Sequence, residues 1–280
     1  MAMPPIVFSH GNSFPASTYR VMLDSLRNRG FDVHAIEKFG HDPKYPVTNN
    51  WPHLVAQLAD FTRGVVKEAG QPALLVGHSL GGFLSLMCAS GHPTLARGVV
   101  MLDSPLVGGW RANTLGLVKR TALMKTVSPG AVSRKRRNRW DDREAAFAHF
   151  RGKKAFARWD EQVLRDYIEH GMLDAPQAID AVDAADPADA LTLSFDRDVE
   201  TAIYDTLPHN LATLLRANPL QCHAAFVGGR QSVEMRRVGM AMTDRITRGR
   251  IAMLDGTHLF PMEKPIASAA AVEASLRNLL

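Results

Sequence analysis

Gly77-His78-Ser79-Leu80-Gly81 sets a serine among glycines, directly after the apolar run Ala73-Leu74-Leu75-Val76. The run reads as a strand, and the residues from Leu80 to about Ser90 read as a helix. A serine on a sharp strand-to-helix turn is lifted above the sheet, at a helix N-terminus where backbone N–H groups converge. Given a base to take its proton, such a serine is a nucleophile. A serine in a glycine-rich turn can also be a plain N-cap, so the partners decide the matter.

His258, in Asp255-Gly256-Thr257-His258, follows the final apolar run Ile251 to Leu254. A histidine on such a loop can reach back over a sheet to Ser79, and it comes late in the chain, after the serine. His10, His41, His78 and His92 compete, but none follows a terminal strand. Attack on a carbonyl needs N–H donors for the developing oxyanion. The N–H of Leu80 is one candidate. The other is the N–H of Asn12, in His10-Gly11-Asn12 after the first strand Ile6 to Ser9, with the Asn12 side chain and Ser13 as further substrate contacts.

These residues need a scaffold that brings strand ends together. Strand and helix signals alternate from Ile6 to Leu102: strands at 6–9, 31–36, 73–77 and 98–102, and helices at about 16–28, 51–68 and 80–90, the second capped by Asn49 or Asn50. The rhythm returns with strands at 223–227 and 251–254 and a closing helix from Pro265. Alternation of this kind specifies an α/β fold with a mostly parallel sheet. Between Pro105 and about His209 the pattern is helical, with Trp140, Phe147, Phe150, Phe156 and Trp159 as anchors and Pro176, Pro187 and Pro208 as breaks. The expected organisation is a core from 1–104 and 210–280, interrupted by a helical insertion at 105–209.

Composition sets limits on function. The chain has 280 residues, 46% apolar and 22% charged, as in a folded protein with a sizeable core. Cys88 and Cys222 lie in apolar stretches and read as buried free thiols. No pair of cysteines has zinc spacing and there is no HExxH, so no metal and no cofactor are expected. No basic segment followed by an apolar run opens the chain, and no stretch is long enough to cross a bilayer, so the expected location is the cytoplasm. The net charge of +5 is concentrated in Arg134, Lys135, Arg136, Arg137 and Arg139. That run reads either as a solvated face or as an attractor of anions; no nucleic-acid module accompanies it. The expected partner is a small-molecule substrate, and monomer and homodimer both remain open.

The motifs His10-Gly11-Asn12, Gly77-His78-Ser79-Leu80-Gly81-Gly82 and Gly256-Thr257-His258 make the chain resemble the α/β-hydrolase superfamily, in its capped branch. The resemblance covers residues 5 to 104 and about 220 to 280; it implies an α/β-hydrolase fold, a cap over the site and a serine–histidine–acid triad. The branch includes esterases, carbon–carbon bond hydrolases, epoxide hydrolases, haloalkane dehalogenases and cofactor-free haloperoxidases. Epoxide hydrolases and dehalogenases need a carboxylate where Ser79 stands, so acyl transfer from an ester, thioester, amide or activated carbon–carbon bond is what the resemblance implies. Trp110 would line the pocket or anchor the core.

Two departures from the family pattern bear on the site. His10 comes too early for the usual two strands before the His-Gly loop, so about six strands are expected. The usual acid follows the strand at 223–227, where this chain reads Gly229-Arg230-Gln231-Ser232. The acid is therefore expected to be Asp103, at the end of the strand after the Ser79 helix, with Glu234 as the alternative. The missing aspartate also leaves a non-enzymatic, receptor-like use of the fold as a rival account.

Overall fold

The computed structural model describes residues 3–106, 133–134, 136–174 and 191–280. Trp110, Lys135, Pro176 and Pro187 lie outside the described residues. In chain order the elements are β1 (Ile6–Ser9), a 3₁₀ turn at Ala16–Tyr19, α1 (Arg20–Arg27), β2 (Val33–Ala35), α2 (Pro52–Ala69), β3 (Ala73–His78), α3 (Leu80–Gly91) and β4 (Ala96–Leu102). After β4 come β5 (Arg139–Trp140), α4 (Arg143–Arg151), α5 (Glu161–His170), β6 (Met172–Asp174), β7 (Leu191–Leu193), α6 (Arg197–Asp205) and α7 (Leu211–Ala217). The chain then returns to the core with β8 (His223–Gly229), α8 (Val233–Val238), α9 (Ala241–Thr247), β9 (Ile251–Leu254), α10 (Phe260–Glu263) and α11 (Pro265–Arg277).

Six strands form one sheet in the order β2-β1-β3-β4-β8-β9, and every neighbouring pair is parallel. Alternation along the strands divides the core in two. Ile6, Phe8, Leu74, Val76, Val100, Leu102, Ala225 and Val227 face α1 and α11, meeting Met22, Leu26, Val272 and Leu276. Val7, Leu75, Val99, Met101, Ala224 and Phe226 face α2 and α3, meeting Leu54, Leu58, Leu84 and Met87. A parallel sheet covered on both faces needs strands apolar throughout, and β3 is buried along its whole length.

The order in which the strands are used places the site. From β1 the chain steps outward to β2, then returns to lay β3 on the other side of β1. That reversal opens a crevice at the carboxyl ends of β1 and β3, where ligands bind in open α/β sheets. His10-Gly11-Asn12 leaves β1 there, and Ser79 leaves β3 beside it.

Two details depart from the sequence reading. The insertion is not wholly helical: β5, β7 and β6 form a small antiparallel sheet. These runs of two or three residues are too short for an alternation pattern to register. Neither Asn49 nor Asn50 caps α2. Trp51 occupies the cap position in a left-handed conformation (φ 59°) with no side-chain cap bond, Pro52 fills the first turn, and Asn50 Oδ1 instead accepts the His209 N–H at 2.9 Å. Trp51 is buried and its indole N–H donates to Thr206 Oγ1 at 3.0 Å, so tertiary packing sets this helix start.

In the basic run, three of the described arginines have partners. Arg134 pairs with Asp205 at 3.2 Å, Arg136 lies 2.9 Å from Glu200, and Arg137 stacks on Trp140 with 5.6 Å to the ring centroid. Cys88 is buried and Cys222 half-buried, and both are free thiols. No helix among the described residues is long and apolar enough to cross a membrane.

Candidate active site

Ser79 sits at the N-terminus of α3 with φ 51° and ψ −113°, a conformation costly for a residue with a side chain. Two surrounding glycines make the turn feasible through close approach rather than through φ. A Cβ on Gly77 would fall 2.1 Å from the Gly81 carbonyl oxygen, and one on Gly81 would fall 1.9 Å from that of Ser9. The turn is held by Ser79 N–H donating to the Leu102 carbonyl at 2.9 Å and by the Ser104 hydroxyl donating to the Ser79 carbonyl at 2.9 Å. The Ser79 side chain makes no cap hydrogen bond to the helix it precedes.

His258 lies on the loop after β9. Its Nε2 is 3.0 Å from Ser79 Oγ and its Nδ1 is 2.7 Å from Asp103 Oδ2. Asp103 is fully buried at the carboxyl end of β4, again with positive φ (45°). Its Oδ1 accepts the Gly229 N–H at 2.7 Å, and its Oδ2 also accepts the Ser232 hydroxyl at 2.5 Å. A carboxylate only accepts hydrogen bonds, so His258 carries its proton on Nδ1 and turns a bare Nε2 toward the Ser79 hydroxyl.

The geometry thus brings Ser79, His258 and Asp103 into one hydrogen-bonded row. Glu234 is not part of it. Its carboxylate lies 3.5 Å from the Ser232 hydroxyl, while Asp103 accepts the hydrogen bond from His258 Nδ1. Ser232, where the family pattern would have an aspartate, has two tasks. It donates to Asp103, and it caps α8 by accepting the Met235 N–H at 3.2 Å. The cap signature was readable as Ser232 before a helix start; the link to Asp103 spans two strands and was not.

Leu80 N–H opens α3, and Asn12 lies across the crevice on the β1 loop, both beside Ser79. The Asn12 side chain, in contrast, is not free for substrate. Its Oδ1 accepts the Ser13 N–H at 3.1 Å and its Nδ2 donates to the Glu200 carbonyl at 3.1 Å. The Ser13 hydroxyl donates to the Glu200 carboxylate, which also accepts from Ser133 at 2.9 Å. Glu200 is buried on α6, so the insertion holds the β1 loop through this residue's backbone carbonyl and carboxylate.

The rings of His10, His41 and His78 have structural partners. His10 donates through Nδ1 to the Gly11 carbonyl at 2.7 Å and accepts the Phe39 N–H on Nε2 at 2.9 Å. His41 bonds the Phe39 carbonyl and the Asp196 N–H, each at 3.0 Å, and His92 closes the far end of α3. Burial pushes His10 down to about 4 and His78 down to about 3, both from the ordinary 6.5. Both rings therefore fold neutral, while the unfolded chain takes up protons below pH 6.5. Stability from their neutral burial is complete above pH 6.5 and is lost as the pH falls from there toward 4 and 3. Lowering the pH from 7 to 5 should cost about 2 kcal/mol per histidine, read as a fall in the urea unfolding midpoint. An unchanged midpoint would contradict neutral burial of both rings.

Above the row lies a cavity of about 540 Å³, within the range of small-molecule sites. Phe14, Val233 and Leu259 give it apolar walls, and Lys154, Arg158 and Tyr204 reach it from the insertion. Arg158 Nη1 donates to Gln231 at 2.5 Å, and Arg158 Nη2 lies 3.5 Å from Glu263, tying the insertion to the core at the cavity rim. No cluster of three metal-ligating side chains occurs among the described residues.

A model of the alpha/beta hydrolase family matches residues 6–272, nearly the whole chain. The chain belongs to the alpha/beta hydrolase family. Among its relatives, a putative non-heme haloperoxidase of Mycobacterium phage D29 is 32% identical over 101 residues, 36% of each protein. A pyrethroid hydrolase of Sphingobium wenxiniae is 31% identical over 110 residues, 38% of each protein. The chain thus spans well under half the length of these two relatives. A solved structure of E-2-(acetamidomethylene)succinate hydrolase superposes with a TM-score of 0.70 at 20% identity, covering 98% of this chain and 91% of that one. At that identity the likeness speaks for the fold alone. It agrees with the six-stranded parallel sheet that the alternating pattern predicts.

Proposed function

We propose that this α/β hydrolase is a serine hydrolase that cleaves a small-molecule ester or related acyl compound through a covalent acyl-enzyme. The observation that carries the reading is the row from Ser79 Oγ to His258 Nε2 (3.0 Å) and from His258 Nδ1 to Asp103 Oδ2 (2.7 Å). His258 takes the Ser79 proton as Ser79 Oγ attacks the carbonyl carbon. The buried Asp103 carboxylate offsets the imidazolium that forms. The oxyanion is held by the N–H groups of Asn12 and Leu80. His258 then protonates the leaving group, the alcohol departs, and the same ring activates water to release the acid.

Residues 105–209 act in this reading as a cap. Support comes from Lys154, Arg158 and Tyr204, which enclose the cavity above Ser79. The absence of an aspartate after β8, which favoured a receptor-like use of the fold, loses its force because Asp103 offers His258 a buried carboxylate from the next strand.

p-Nitrophenyl esters with acyl chains of two to eight carbons, and the matching thioesters, test the reading. We expect turnover, with a rapid first release of about one p-nitrophenolate per enzyme wherever deacylation is slow. Absence of hydrolysis across both series by folded protein would overturn it.

A further inference from the structure

Two buried polar side chains beside the row have no part in the proton transfers. Tyr19 and His78 are each 1% exposed. The Gly11 N–H donates to Tyr19 Oη at 2.9 Å, Tyr19 Oη lies 2.7 Å from His78 Nδ1, and His78 Nε2 lies 2.9 Å from the His258 carbonyl oxygen. A carbonyl only accepts, so His78 carries its proton on Nε2 and its Nδ1 is bare. The Tyr19 hydroxyl then accepts from Gly11 and donates to His78. Each contact has one donor and one acceptor, and the chain runs in a single direction from Gly11 to His258. A second proton on His78 would leave the buried tyrosine O–H with no acceptor, a costly state.

We infer that Tyr19 and His78 are positioning residues: together they form a directional hydrogen-bond strap that sets the separation between the oxyanion loop and the loop carrying the base. The strap's ends lie next to the reacting groups. Gly11 precedes Asn12, the proposed oxyanion donor; His78 precedes Ser79; and the last acceptor belongs to His258 itself. Packing leaves the strap little freedom. A Cβ on Gly11 would lie 2.8 Å from His78 Nδ1 and 3.0 Å from Tyr19 Oη, so only glycine admits this approach. The Tyr19 ring packs on Phe8 of β1 at 4.8 Å, and the His78 ring lies 5.0 Å from that of His258. Tyr19 and His258 are the titratable groups that touch His78; Asp103 and His10 stand beyond them.

The kinetic part of this inference rests on the proposed hydrolase reading; the protonation part does not. Long-range ¹H–¹⁵N spectra of the histidine side chains should place the His78 proton on Nε2, with Nδ1 bare, from pH 5 to pH 9. A proton on Nδ1, in a neutral or a charged ring at pH 7, would overturn the strap. In ester kinetics, displacing an oxyanion donor or base by a fraction of an ångström should cost about 10- to 100-fold. Tyr19→Phe should therefore lower kcat for p-nitrophenyl butyrate by that factor with KM little changed, and weaken binding of a trifluoromethyl ketone, which forms a tetrahedral adduct, in parallel. His78→Gln can accept from Tyr19 through Oε1 and donate to the His258 carbonyl through Nε2, so it should recover most of the activity that His78→Leu loses. Variants that unfold at a lower temperature yet keep wild-type kcat and ketone affinity would reduce the strap to a stability element and overturn the positioning role. If His78→Leu does not fold, Tyr19→Phe, which keeps the ring and removes only the hydroxyl, decides the point. If the wild-type protein hydrolyses no ester, the hydrolase reading fails while the spectra still decide the strap.

Discussion

Replacing Ser79 by alanine should lower turnover of an activated ester by roughly 10⁴-fold or more, the scale on which nucleophile removal acts in serine hydrolases of other folds. The substitution is a clean one in this structure. Ser79 Oγ makes no cap bond, and its partner is His258 Nε2 at 3.0 Å. Alanine has the same backbone preferences as serine at φ 51°, so the turn is no more strained than before. Folding stability should stay within about 1 kcal/mol of wild type, the usual worth of one hydrogen bond. Substrate binding should survive, because the walls of the cavity are untouched. Near-normal turnover in a folded Ser79→Ala protein would end the covalent mechanism.

The second large effect is expected at Asp103. Asparagine there has nearly the same shape but offers one acceptor atom and one NH₂ group. With Oδ1 accepting from Gly229 N–H, the NH₂ faces His258 Nδ1, where the carboxylate now accepts. The ring must then leave Nδ1 bare and carry its proton on Nε2, against Ser79, where it cannot serve as a base. A loss of roughly 10³- to 10⁴-fold in kcat follows, by analogy with the same change in a serine protease triad. The rival substitution Glu234→Gln should change kcat by less than about threefold, because His258 makes its bond to Asp103 instead. Steady-state kinetics of both variants, each checked by circular dichroism and thermal melting, separates the two acids. The reverse pattern would transfer the role to Glu234.

The parts of the fold that could be read in the sequence are those governed by local rules. The apolar run before Gly77, the glycines around Ser79 and the strand at Ile251 to Leu254 each carry a periodic or steric signal within a few residues. The site residues lie at strand ends: the motifs and the family resemblance nominated Ser79, His258 and Asp103, and the parallel crossover rule put the Asp103 strand beside the Ser79 strand. What escaped is tertiary in origin. The start of α2 depends on a buried Trp51 bonded to Thr206, 155 residues away. The hold on Asn12 and Ser13 depends on Glu200 in the insertion, and the strap depends on Tyr19 meeting His78 across β1 and β3. None of these contacts leaves a spacing pattern in the chain. The sequence also read Ser232 as a gap where a carboxylate should be, because its function is to support a carboxylate supplied from a different strand.

The central claim is that Ser79 is an activated nucleophile, and covalent labelling with a fluorophosphonate tests it most directly. The reagent reacts with serine hydroxyls that a neighbouring base activates and leaves ordinary serines alone. Intact-mass measurement should show one adduct per chain, peptide mapping should place it on Ser79, and Ser79→Ala should take up none. Folded wild-type protein that remains unlabelled, or that is labelled at another residue while Ser79 stays free, would contradict the account.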